Sequence, residues 1–77
     1  MVIKDIYPVS IVKDRYGGVY SGGRYVAFHL HPEEIPEDAF GGDTEAYYFW
    51  ENTRMPIGKG STPNDALYNL YDILKGR

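Results

Sequence analysis

The sequence predicts an α+β domain: an antiparallel sheet of three or four strands with one C-terminal helix packed on one face, in the order β-β-β(-β)-α. Three observations lead there. Two β-branched segments flank a glycine-rich connection, an aromatic segment and a further short one follow, and the chain closes on a pattern that switches to helical spacing. A helix with a single apolar stripe must lie on something, and here only a sheet can cover it.

The first strand is read over Ile6–Lys13, where Tyr7, Val9, Ile11 and Val12 form a partly alternating run and Pro8 places its start on an edge. The second runs from Arg24 to Leu30, with Val26, Phe28 and Leu30 on one face and Tyr25, Ala27 and His29 on the other. Together they predict an antiparallel hairpin. Its connection is longer than the usual two to five residues, so Gly17-Gly18 and Gly22-Gly23 are expected to form a turn plus a bulge, or to extend the strands into a protruding tip.

From His31 to Asp43, Pro32, Pro36, Gly41 and Gly42 stand among acids, which predicts an irregular acidic loop with one helical turn after Pro32. Glu45–Glu51 then reads as a third strand, with Ala46, Tyr48 and Trp50 on one face and Tyr47 and Phe49 on the other. Arg54–Lys59 supplies a short fourth. The final helix opens at Ser61-Thr62-Pro63-Asn64-Asp65, which offers a capping hydroxyl, a proline in the first turn and an acid against the helix dipole. Ala66, Leu67, Leu70, Tyr71 and Leu74 make its stripe, and Gly76 marks its end.

Composition bounds the rest. A 77-residue chain has room for one domain and one small core, because chains of this size bury only about 60% of their unfolded surface. Association into a homodimer would add to that core. Aromatic residues make up 16% of the chain, eight of them Tyr, and exposed Tyr is enriched where proteins touch partners. Cysteine is absent, which excludes disulfides and thiolate zinc sites and favours a cytoplasmic protein. No run approaches the roughly 18 apolar residues of a membrane span, so no membrane partner is expected.

Charge is unevenly placed. The net charge is −3, yet no Lys or Arg occurs between Arg24 and Arg54, an interval that holds Glu33, Glu34, Glu37, Asp38, Asp43, Glu45 and Glu51. The N-terminal part instead carries Lys4, Lys13, Arg15 and Arg24 against Asp5 and Asp14. One molecule thus offers a mildly basic and a strongly acidic side.

The run Asp14–Tyr25, DRYGGVYSGGRY, is the candidate binding element. Its residues Arg15, Tyr16, Gly17, Gly18, Tyr20, Ser21, Gly22, Gly23 and Arg24 fit three readings: a protein-contact loop, a nucleotide-holding nest, or a purely structural hairpin. The spacing matches neither a P-loop nor a dinucleotide fingerprint. His29 and His31 share a strand face and could join Glu33 or Glu34 around a metal, but two histidines near a strand end are more often solvated, so no metal or cofactor is expected. No nucleophile-elbow context surrounds Ser10, Ser21 or Ser61, so no catalytic residue is assigned and no enzyme is expected.

Residues Ile57–Leu74, in particular Gly58-Lys59-Gly60-Ser61-Thr62-Pro63-Asn64-Asp65-Ala66 and Leu70, resemble the strand-to-helix unit of HicB-type antitoxin domains, where a G-x-T-P-x-x-A pattern opens the sheet-packing helix. The resemblance implies a sheet-and-helix module and an antitoxin partner. The DRYGGVYSGG segment, followed by an aromatic strand and an acidic loop, is similar to small accessory proteins of bacteriophages and mobile elements. That resemblance implies an inhibitor of host defence, anti-CRISPR-like, or a sponge for nucleotide signals. In the first case Glu33, Glu34, Glu37, Asp38 and Asp43 would meet a basic channel of a host defence protein, with Tyr16, Tyr20 and Arg24 at the rim. In the second, Arg15 and Arg24 would meet phosphates and Tyr16 or Tyr20 a base.

Overall fold

A computed structural model describes residues 6–76; Lys4 and Asp5, which enter the charge reading, lie outside the described residues. Strands β1 (Ser10–Lys13), β2 (Tyr25–Phe28) and β3 (Ile57–Gly60) form an antiparallel sheet in the order β1-β2-β3. Helix α1 (Asp43–Asn52) lies between β2 and β3 in the chain, and helix α2 (Pro63–Lys75) follows β3. The α+β class and the C-terminal helix on the sheet stand as the sequence predicts.

The hairpin registers Ser10 with Phe28 and Lys13 with Tyr25, while β2 pairs on its other edge with β3, Phe28 opposite Ile57 and Tyr25 opposite Gly60. β1 begins only at Ser10, just past Pro8, which has no N–H for a ladder. The alternation read for β2 holds. Val26 and Phe28 enter one buried cluster with Ala39, Ala46, Trp50 and Ile57, and Ala27 enters another with Ile6, Ala66 and Leu70.

One element differs in kind. Residues 45–51, read as a strand, belong to α1. Ala46 and Trp50 point inward in either reading, since positions four apart share a face of a helix and also of a strand. Tyr48 separates the two: a strand would bury it beside them, whereas in the helix it is 59% exposed. Gly42 at the N-cap with Asp43 and Glu45 in the first turn supplies the start, because acids are favourable at the positive end of a helix. The segment read as a fourth strand is therefore the third.

A second difference follows. The sheet is covered on both faces, not one, so the domain has three layers. On the α1 face, two 3₁₀ turns, Pro32–Glu34 and Glu37–Phe40, bring Ala39 and Phe40 to the aromatic core, where Phe28 and Trp50 lie 6.1 Å apart between centroids. The Trp50 indole N–H donates to the Ala39 carbonyl at 3.1 Å, so its polar atom is satisfied where its ring is buried.

On the other face α2 approaches very closely. A Cβ on Gly58 would stand 2.7 Å from Leu70 Cβ and closer still to the Ala66 carbonyl oxygen and the Leu70 amide. Only glycine lets the helix backbone sit directly on β3 there. The Thr62 hydroxyl accepts from the Asp65 N–H at 3.1 Å and caps the helix as its sequence predicts. Asn69 on α2 donates its amide to the Lys59 carbonyl.

Candidate functional site

The β1–β2 connection is organised around one buried carboxylate. Asp14 is 2% exposed; its side chain accepts from the Tyr16 N–H at 3.3 Å, the Gly18 N–H at 2.6 Å and the Ser21 hydroxyl at 2.9 Å. Its own N–H donates to the Arg24 carbonyl at 2.8 Å and closes the loop at its neck. Gly18 takes φ 98°, as the turn requires, with the Gly22 N–H returning to its carbonyl at 2.9 Å. Ser21 and Gly23 are buried, whereas Gly17, Gly22 and Arg24 face solvent.

This loop does not extend as a protruding tip. It folds back onto the segment that leads into α1, held by a row of polar contacts. Arg15 Nη1 donates to the carbonyls of Phe40 at 3.1 Å and Gly41 at 3.3 Å, the Tyr16 hydroxyl donates to the Gly41 carbonyl, and the Tyr20 hydroxyl donates to Asp43 Oδ1 at 3.1 Å. The apolar parts of Tyr16 and Tyr20 pack against the Val26–Phe28 cluster, which is what draws the loop inward. Partial burial first, and then the Asp43 carboxylate, raise the pKa of the Tyr20 phenol above its ordinary value.

The result is a row of tyrosines set edge to face. Tyr16 and Tyr20 lie 5.1 Å apart at 73°, Tyr20 and Tyr47 6.3 Å apart at 78°, and Tyr47 and Tyr48 5.4 Å apart at 69°. Its outer end is open to solvent, with Val19 76%, Tyr47 47% and Tyr48 59% exposed. Two shallow grooves of about 320 Å³ each run along it, one lined by Tyr20, Asp43, Thr44, Tyr47 and Tyr48, the next by Val19, Tyr20, Tyr47 and Glu51. They share Tyr20 and Tyr47.

Of the residues singled out in the sequence, the structure joins Arg15, Tyr16, Tyr20 and Asp43 in one place. Glu33, Glu34, Glu37 and Asp38 sit apart on the two 3₁₀ turns, exposed, with Glu34 accepting from the His31 N–H at 2.8 Å. His29 donates Nδ1–H to the Pro8 carbonyl at 2.8 Å and His31 lies edge-on to Tyr7, 5.5 Å between centroids. Each imidazole thus has a structural partner. Val19 is a site residue that sequence reasoning passes over, and Tyr47 and Tyr48 enter it only as parts of an aromatic strand with one face in the core and the other a possible interface. The helix start Gly42-Asp43-Thr44-Glu45 is the signal for Tyr48, which a helix sets opposite Trp50, with Tyr47 on the flank three positions before it.

Comparisons of the chain with protein-family models, with curated proteins and with solved structures find no match. Among the described residues, no helix is long and apolar enough to cross a membrane.

Proposed function

We propose that this chain is a non-enzymatic binding protein that acts by contact through the tyrosine face, and that it is a phage-type inhibitor of a bacterial immune effector. The observation that carries the binding reading is the set of exposed side chains Val19, Tyr47 and Tyr48 around the half-buried Tyr20, bordered by Asp43 and Glu51. Exposed aromatics held rigid by the fold contribute large contact area at little entropic cost, and they are enriched where proteins bind proteins. The acidic border and the acids of the 3₁₀ turns suit a partner with a basic surface, such as the nucleic-acid channel of an effector. A nucleotide sponge is less well supported, because the N–H groups of Tyr16 and Gly18 are already taken by Asp14 and Arg15 is held by backbone carbonyls.

The test is functional. The chain is expressed in bacteria whose CRISPR effector restricts a challenge phage, and plaque formation is counted. Restored plaquing that disappears with Tyr47→Ala plus Tyr48→Ala, two exposed positions whose truncation spares the core, is the expected result. No restoration against any effector class tested refutes the inhibitor reading. A dimer in sedimentation that the same double variant dissolves would show that the face serves self-association instead.

A further inference from the structure

We propose that the groove between Tyr20, Tyr47 and Tyr48 takes an arginine side chain of the partner, an inference that rests on the contact reading of this face. The walls are three phenol rings at steep mutual angles, 78° and 69°. Ring faces carry negative quadrupole density, so a ring face that lines the groove attracts a cation lying against it. The polar groups in the two grooves add to the same preference. Asp43 lies in one groove and Glu51 in the other, with Thr44 offering a hydroxyl.

The cation is a side chain and not a metal ion. Two carboxylates on separate grooves give a metal too few oxygens, and one Asp43 oxygen already accepts from Tyr20. A phosphate or nucleotide would meet those carboxylates as like charges. Guanidinium fits better than ammonium, because it is planar, stacks on rings and donates through a fork that matches a carboxylate. Among the described residues Arg15 already shows a related arrangement, its guanidinium over the Tyr16 ring at 5.3 Å from the centroid while it donates to two carbonyls. The groove volume of about 320 Å³ stands at the small end for ligand sites. It suits one long side chain, and the adjoining groove by Val19 and Glu51 gives the peptide backbone a continuation.

The test titrates the protein with a short peptide of alternating glycine and arginine, with the same peptide carrying neutral citrulline, and with a lysine version, following the tyrosine ring signals by NMR. The arginine peptide is expected to move the Tyr47 and Tyr48 signals saturably and to bind about tenfold more tightly than the citrulline peptide, the scale of a ring-held ion pair. Asp43→Asn with Glu51→Gln, which keeps the acceptor for Tyr20, should bring the arginine peptide down to the citrulline level while the melting temperature falls by only a few degrees, the share of the Asp43 charge in starting α1. Equal affinity for arginine and citrulline, equal affinity for arginine and lysine, or no binding by any of the three overturns the proposal. If that happens while Tyr47→Ala plus Tyr48→Ala still abolishes plaquing, only the arginine assignment fails. If plaquing is also untouched by that variant, the contact reading of the face fails with it.

Discussion

Replacing Asp14 by alanine removes the group around which the tyrosine loop is built. Three donors lose their acceptor: the Tyr16 N–H at 3.3 Å, the Gly18 N–H at 2.6 Å and the Ser21 hydroxyl at 2.9 Å. Hydrogen bonds to a charged acceptor contribute about 1.5–3 kcal/mol each, and the contributions of a shared acceptor do not add fully. The 3.3 Å bond is the weakest of the three, and Ser21 keeps a second acceptor in the Gly23 carbonyl at 3.1 Å. The Gly18 bond at full weight and reduced shares of the other two give a loss of about 3–4 kcal/mol, against a total stability of about 4–12 kcal/mol for a domain of this size. Asp14→Asn retains one acceptor oxygen but turns an amide toward N–H donors, so its loss is intermediate. Urea unfolding followed by Trp50 fluorescence measures both. With a slope of about 1–2 kcal/mol per molar, Asp14→Ala should lower the midpoint by at least about 1.5 M. A change under about 0.5 M would mean that the loop is held by its tyrosine packing and that the carboxylate is dispensable.

Gly58→Ala is expected to destabilise by about 3 kcal/mol, the upper end for overpacking, because the new Cβ meets helix backbone and not a movable side-chain tip. Calorimetry should register a fall of about 12–24 °C in melting temperature, and a fall under about 4 °C would show that α2 can lift from β3 at little cost. Tyr20 makes stability sensitive to alkali. Its pKa is raised in the fold, so the folded chain holds the phenolic proton more tightly than the unfolded chain; the contribution is complete below about pH 10 and is lost as pH rises through the folded value. Melting temperature measured from neutral to alkaline pH should therefore fall less steeply in Tyr20→Phe than in the wild type, and parallel curves would contradict the assignment.

Helix α2 is legible in the sequence because its signals are independent and agree: Thr62 as cap, Pro63 in the first turn, Ala66, Leu70 and Leu74 on one stripe, Gly76 at the end. β2 is legible because its two faces are both buried and alternate without exception from Tyr25 to Phe28. Helix α1 is not, for a physical reason. Tyr-Tyr-Phe-Trp has high strand propensity, and the inward pair Ala46 and Trp50 fits both periods. Only the exposure of Tyr48 decides, and tyrosine is amphipathic enough to be stable inside or outside. The loop shows the same limit: its glycines announce unusual backbone, but that Arg15, Tyr16 and Tyr20 fold back onto the domain depends on where Phe40, Gly41 and Asp43 bring their acceptors.

The two faces of β2 divide the domain's labour. Leu70 and Ala66 anchor the fold on one side through a glycine contact that tolerates almost no change, while the tyrosine row stands on the other side, beyond Phe28 and Trp50. Substitutions at Val19, Tyr47, Tyr48 and Glu51 reach neither buried cluster, so the contact face can be redrawn with little effect on whether the chain folds. A scaffold built this way can follow a changing partner: its recognition surface is free to drift while the seam between α2 and β3 holds constant.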